Sequence, residues 1–245
     1  SYRSDNPPMA RLPRLAVPGL PHYLVQRGHN QQAVFFDDED RRAYLAALSE
    51  TVATQKLPVL AYCLLDDQVH LLVVPATAEA MSRMLQSLGR RYGAAFNRRH
   101  GRSGTLWDGR FRAMVVEPGT HLLDAMRCVE QAPLRAGWTA SAADWPWSSA
   151  AHHAGRTRVA WLSDPPLYWS LGNTPFEREL AWLRLLDEPL ADRVLARMMD
   201  AVHKGWALGS GTFVASLGAE TDRPLAPRPR GRPRRAPDKG KSNPD

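Results

Sequence analysis

The stretch "YCLLDDQVHLLVVP", residues 62–75, limits the fold more than any other. It reads as two short strands, Tyr62 to Leu65 and Val69 to Val74, joined by a polar turn at Asp66-Asp67. A connection that short makes the pair antiparallel. His70 opens a run of four aliphatics, and Gln68 stands two positions before it. Alternate residues of a strand share a face, so a histidine at 68 would complete a His-x-His metal pair. Half of that pair is absent. A lone histidine beside aliphatics is more often structural than a ligand, and this stretch alone leaves both readings open.

The flanking segments predict the partners of this hairpin. "LPHYLVQRG" (20–28) alternates His22, Leu24 and Gln26 against Tyr23, Val25 and Arg27, a strand ended by Gly28. "FFDDEDRRAYLAALSETVATQK" (35–56) gathers acids at its start, as a helix N-terminus prefers, and aligns Tyr44, Leu45, Leu48 and Val52. "AEAMSRMLQSLGRRYGAAFNRRH" (78–100) is helical, with Met81, Met84, Leu85 and Leu88 on one face. A glycine-rich loop then leads into a strand at 111–116. "GTHLLDAMRCVEQAP" (119–133) is a helix with Thr120 as its N-cap and Pro133 as its stop. The order β-α-β-β-α-β-α predicts an α+β layer, helices on an antiparallel sheet.

Residues 138–169, rich in Trp and Pro, predict an irregular packed segment, and two or three helices occupy 175–217. The domain reading is a disordered start (1–10), a sheet-and-helix domain (11–155), a small helical C-terminal extension (156–220) and a disordered tail (221–245). The leading SYRSDNPP lacks the apolar stretch of a secretion signal.

The chain of 245 residues carries 32 basic and 25 acidic side chains, a formal charge of +7. Residues 222–245 hold eight of those basic residues against three acidic ones, so most of the excess lies in the tail. The balance favours an anionic partner, nucleic acid first. Two cysteines, Cys63 and Cys128, imply no disulfide framework and suit a reducing cytoplasm. No run approaches the ~20 apolar residues of a membrane span.

Six segments, "RGHNQQAVFFDDEDRRAYLAAL", "AYCLLDDQVHLLVVP", "GTLWDGRFRAMVVEP", "VEQAPLRAGW", "DWPWSSAAHH" and "KGWALGSGTFVASL", follow one another in the order and spacing of a known family. The chain resembles the REP-associated tyrosine transposases, bacterial relatives of the single-tyrosine HUH insertion-sequence transposases. The resemblance implies a ferredoxin-like antiparallel sheet with helices on its faces and, as substrate, single-stranded DNA beside an imperfect hairpin. It also implies Mg²⁺ or Mn²⁺ on a His-hydrophobic-His pair and a polar side chain from a later helix. A tyrosine on that helix attacks the phosphate, the metal steadying the developing charge. Some relatives build the site between two subunits, so a homodimer is among the implied partners.

Carried over position by position, the first histidine falls on Gln68, the second is His70, the tyrosine falls on Cys128 and the helix amide on Ala132. Gln68 retains a carbonyl oxygen for a hard cation, with Asp66 or Asp67 as helpers, whereas Ala132 offers none. Metal binding is therefore expected to be weak or absent. Cys128 is a nucleophile in principle, but the thiol ends several ångströms short of a phenol. Its other reading is a small buried residue at the edge of the face formed by Leu122, Ala125, Met126 and Val129.

The expected function is recognition of hairpin-forming DNA without cleavage. Two alternatives stand: a divergent nickase using Cys128, Tyr92 or Tyr62, and an RNA-binding or protein-interaction scaffold. DNA contacts are expected from Arg27, from Arg90, Arg91, Arg98 and Arg99 with Arg102, and from Trp107, Arg110, Phe111 and Arg112, where aromatics interleave with guanidiniums. In the tail, "PRGRP" (229–233) resembles an AT-hook core. Gly231 would let the backbone sink into a minor groove along which Arg230 and Arg232 reach, with Arg234 following. The same tail reads equally as a nonspecific polycation. His152, His153 and His203 have no partner at ligand spacing and read as surface or core residues.

Overall fold

The computed structural model describes residues 15–221 and 223–226. Strand β1 (His22–Arg27) is followed by helix α1 (Asp38–Gln55), strands β2 (Val59–Leu64) and β3 (Gln68–Val73), helix α2 (Ala80–Arg99), strand β4 (Arg112–Val116) and helix α3 (Thr120–Glu130). The expected β-α-β-β-α-β-α order is thus present, in an α+β architecture. Beyond it lie three single-turn helices, α4 (Ala132–Arg135), α5 (Ala150–His153) and α6 (Pro166–Trp169). The longer α7 (Pro175–Asp187) and α8 (Asp192–Lys204), the two-residue strand β5 (Ala207–Leu208) and α9 (Gly211–Ala219) complete the fold.

The sheet runs β2-β3-β1-β4-β5, antiparallel except where β5 joins β4 in parallel. That fifth strand carries no signal of its own in the sequence, because two residues are too few to show a period. The hairpin closes where Leu65 N–H donates to the Gln68 carbonyl at 2.9 Å. Asp66 and Asp67 turn their carbonyls to the amides of Val34 and Gly28, both at 2.7 Å. The acidic turn therefore also holds the loop after β1.

Each face of the sheet has its own core, because successive side chains of a strand point to opposite sides. Leu24, Tyr62, Leu64, Val69, Leu71 and Val73 pack under α1 and α2, whose Tyr44, Leu48, Met84, Leu88 and Phe96 recur at helical spacing. Tyr23, Val25, Cys63, Leu72, Met114 and Val116 face α3 on the other side. Trp182 and Leu186 of α7 and Met198, Ala201 and Val202 of α8 share this second core.

Local chemistry explains the helix ends. The Asp37 carboxylate accepts the backbone amides of Glu39 and Asp40, capping α1, and three further acids occupy its first turn. Helix α3 starts at Thr120 with Gly119, at φ 104°, in the cap position, one residue before the expected cap. Nor does Pro133 act as a plain stop: α3 ends at Glu130, and the proline lies in the first turn of α4, where no amide donor is needed.

Gly28 closes β1 where a side chain has no room. A Cβ there would stand 2.0 Å from the Gln32 carbonyl oxygen and 2.9 Å from Val34 Cγ1. Gly28→Ala is expected to lower stability by about 1–3 kcal/mol through overpacking, read as a shift of the urea midpoint at unchanged slope.

Candidate functional site

Strand register assembles the site. Val25 lies opposite His70 on one side and Arg112 on the other, and Cys63 lies opposite His70 from β2. Directly paired residues share a face, so these four form one row across the sheet beneath α3. Arg27 and Gln68 form the next row toward the strand ends, and the Arg27 Nε–H donates to Gln68 Oε1 at 3.1 Å.

His70 and Cys128 come together through a residue that sequence reasoning missed. The Tyr23 hydroxyl is 2.6 Å from His70 Nδ1, with the rings stacked at 5.8 Å, and it also meets the Cys128 thiol. All three are buried, Cys128 and Tyr23 at 0% exposure. Burial pushes the Cys128 thiol up despite the opposing charge of Arg135, whose Nη2 is 3.8 Å from Sγ, so the group is a neutral thiol near pH 7. Burial, with the charges of Arg135 and Arg27, lowers His70 to about 3, so the imidazole is neutral.

The donor set does not fit Mg²⁺ or Mn²⁺. His70 Nε2 is buried without a hydrogen-bond partner, but it stands alone. The Gln68 amide oxygen is engaged by a guanidinium, and Ala132 has no donor. Gln131, next to it, gives its amide N–H groups to the carbonyls of Leu186 and Glu188 at 2.9 and 2.8 Å. Hard divalent cations take several oxygen ligands, and the charges that act on His70 are those of Arg135 and Arg27. The alternative nucleophiles lie elsewhere. Tyr62 and Tyr92 are buried in the opposite core; burial raises both phenols, and Tyr92 donates to the Val34 carbonyl at 2.6 Å.

The expected DNA-binding residues divide. Arg90, Arg98 and Arg110 are exposed. Arg91 pairs with Glu50. Arg99 is held by Asp37, Glu39 and Asp40 at 2.6–2.8 Å and clamps the end of α2 to the start of α1. Arg102 donates to Gln32 Oε1 and lies over the Phe96 ring. Trp107 is core rather than platform: it is 8% exposed and packs on Tyr44 and Tyr92 at ring distances of 6.0 and 6.1 Å, which hides its faces from a base. Phe111 is half-buried against the same core. Arg112 donates to the His203 carbonyl at 2.8 Å. Arg230, Arg232 and Arg234, with the AT-hook-like motif, lie outside the described residues.

Of the three histidines read as surface or core residues, His203 is exposed, whereas His152 and His153 have partners in three dimensions. Among the described residues, His152, His153 and Asp164 bring ligand-type atoms within 4.8 Å of one another. Yet Val159 N–H donates to His152 Nδ1 at 3.0 Å, so the neutral ring carries its proton on Nε2 and gives it to Asp164 at 3.1 Å. No His152 lone pair then faces the cluster, and the arrangement is a hydrogen-bonded charge network. Its centre is Glu130 of α3, which receives His153 Nδ1–H and Ser149 O–H at 2.5 Å and Trp182 Nε1–H at 2.8 Å. Burial alone would lower His153, but the Glu130 charge, the hydrogen bond that its Nδ1–H donates to Glu130 and the Asp164 carboxylate 3.5 Å from its Nε2 outweigh it and raise the imidazole to about 9. For Asp164, burial is outweighed by the hydrogen bonds of His152 and His153, and the carboxyl is lowered.

This architecture meets known proteins at one place. Residues 20–127 match the family described as "Transposase IS200 like". The fold resembles that of a solved structure described as "Structure of the REP associates tyrosine transposase bound to a REP hairpin": TM-score 0.52, 14% identity, covering 65% of this chain and 93% of the other. A putative transposase from Deinococcus radiodurans R1 is matched at TM-score 0.35 and 18% identity, over 46% of this chain and 91% of that one. No curated protein matches the chain. Among the described residues no helix is long and apolar enough to cross a membrane.

Two outcomes are expected. His153, raised above its unfolded value of 6.5, contributes stability that is complete below about 6.5 and lost as pH rises through about 9. His70 and His22, lowered to about 3 and about 4, leave the unfolded chain binding more protons below 6.5, so stability also falls on the acid side. Urea midpoints against pH should peak near neutrality, and His153→Gln should abolish the alkaline slope while lowering stability throughout. Secondly, an aromatic disulfide reagent should label Cys128 only after denaturation, at a rate set by unfolding.

Proposed function

We propose that this chain is a DNA-binding transposase relative that recognises hairpin DNA with a single-stranded flank and does not cleave it. The observation that carries this reading is the arginine chemistry at the strand ends. Arg27 occupies the Gln68 oxygen, Arg135 lies beside His70, and the nucleophile position holds a sealed neutral thiol. Such a surface can hold a phosphate by charge-assisted hydrogen bonds. Its donor set suits a guanidinium-bound anion better than a hard divalent cation, and the thiol at the nucleophile position is buried. The neighbour of like fold carries a REP hairpin by its description, which supports the choice of ligand. We place the chain in the cytoplasm, since Cys63 and Cys128 are both free thiols. We assign the basic tail a supporting role on the duplex stem, and leave a homodimer to be tested by mass in solution.

Purified full-length protein should bind a flanked hairpin tightly and with steep salt dependence, and leave it intact with Mg²⁺ or Mn²⁺. A covalent protein–DNA adduct on a denaturing gel overturns the non-cleaving reading, and its loss in Cys128→Ser would name the nucleophile. Equal affinity for hairpin DNA, linear duplex and structured RNA overturns hairpin recognition.

A further inference from the structure

A groove of about 530 Å³ opens between the lead-in to β4 and the end of α8. One wall is Arg110, Phe111 and Arg112; the other is His203, Lys204 and Gly205, with Arg223 at the rim. Four cationic side chains face one carboxylate, Asp108, whose Oδ1 accepts the Gly109 amide of its own loop at 3.0 Å. The negative end of α8 accounts for some of this charge: Arg112 donates to the His203 carbonyl and Arg223 to the Gly205 carbonyl, at 2.8 and 2.7 Å. It does not account for the rest. Arg110 is exposed and makes no hydrogen bond or ion pair among the described residues. Lys204 reaches no carboxylate closer than Asp200, at 3.9 Å, and lies 4.5 Å from the Trp206 ring.

The groove continues the site already described. Arg112 is opposite Val25, and Val25 is opposite His70, so Arg112 and His70 point to one face two strand spacings apart, about 10 Å. Between them runs β1, ending in Arg27, whose carbonyl accepts the Asp108 amide at 2.8 Å. A strand crossing these ends passes from Gln68 over Arg27 into the groove.

We propose that this groove seats the phosphodiester backbone of the single-stranded flank, and that the C-terminal helices complete the DNA site. The inference rests on the DNA-binding reading above and deepens it: one wall of the groove comes from residues beyond 127, where the family match ends. Its walls offer guanidinium, ammonium and backbone groups, so the contact is with phosphate and carries little base preference.

The test compares Arg110→Glu, Lys204→Glu and the double variant with wild type on two ligands, a hairpin with its flank and the same hairpin without it. Both side chains are exposed, so thermal midpoints should not move; Arg110→Gln and Lys204→Gln serve if they do. The expected result is a loss of tenfold or more for the double variant on flanked DNA. The slope of log K against log salt should be shallower by about 0.7 for each lost phosphate contact, and binding to the flankless hairpin should be unchanged. Methylphosphonates in the flank should reproduce the loss in wild type and add nothing in the double variant. Unchanged affinity and slope in the double variant, with wild-type binding intact, overturns the groove alone. Equal losses on both ligands overturn its assignment to the flank. Wild-type protein that binds neither ligand overturns the DNA reading and the groove with it.

Discussion

The register of β1 between β3 and β4 is the constraint on which the other features depend. Because side chains alternate, a slip of one residue would move His70 from the α3 face into the core under α1 and α2. Two hydrophobic cores hold the register, since Val69, Leu71 and Val73 must enter one and Leu72 the other. The same pairing that brings His70 to Tyr23 and Cys128 also sets Arg27 over Gln68 and Arg112 at the groove. One backbone arrangement thus positions both the His70, Tyr23 and Cys128 cluster and the cationic surface beside it.

The second dependence is electrostatic. Glu130 is fully buried, and its two oxygens take hydrogen bonds from His153, Ser149 and Trp182. Those donors come from α5, the residue before it, and α7, so one carboxylate of α3 joins the later segments to the sheet. A buried charge of this kind is tolerable only when paired and hydrogen-bonded. Breaking it from either side leaves the partner charge stranded, which is why the C-terminal helices act as part of the core. Their fixed position gives Lys204 and His203 a defined place beside β4.

The features around His70 are consistent with one another physically. A guanidinium on the Gln68 oxygen disfavours a second cation there, and the charges of Arg135 and Arg27 depress His70 further. The neutral thiol of Cys128 then packs from α3 against the sheet without a charge to solvate. Guanidinium groups supply charge and hydrogen-bond donors at once, so a phosphate can be held without a metal.

Much of the architecture was legible in residue order. Alternation in 20–28, the apolar runs around Asp66-Asp67 and the helical spacing of Met81, Met84, Leu85 and Leu88 specified the elements, since these signals are local and each spans several residues. The departures at Gln68, Cys128 and Ala132 were equally legible, as identities in a recognised pattern. Contacts distant in the chain were not. Nothing in Tyr23 announced that it would bridge His70 and Cys128. The arginine run of α2 could not reveal that Arg99 spends its charge on Asp37, Glu39 and Asp40. Trp107 reads in sequence as an aromatic among arginines, and only the packing of Tyr44 and Tyr92 turned it inward. By itself the sequence determined the strands, the helices and the identities of Gln68, His70 and Cys128, because periodicity and side-chain identity are properties of neighbours. The tertiary structure alone decided which charges are spent inside the protein and which remain for a ligand, because that depends on what a side chain meets across the fold.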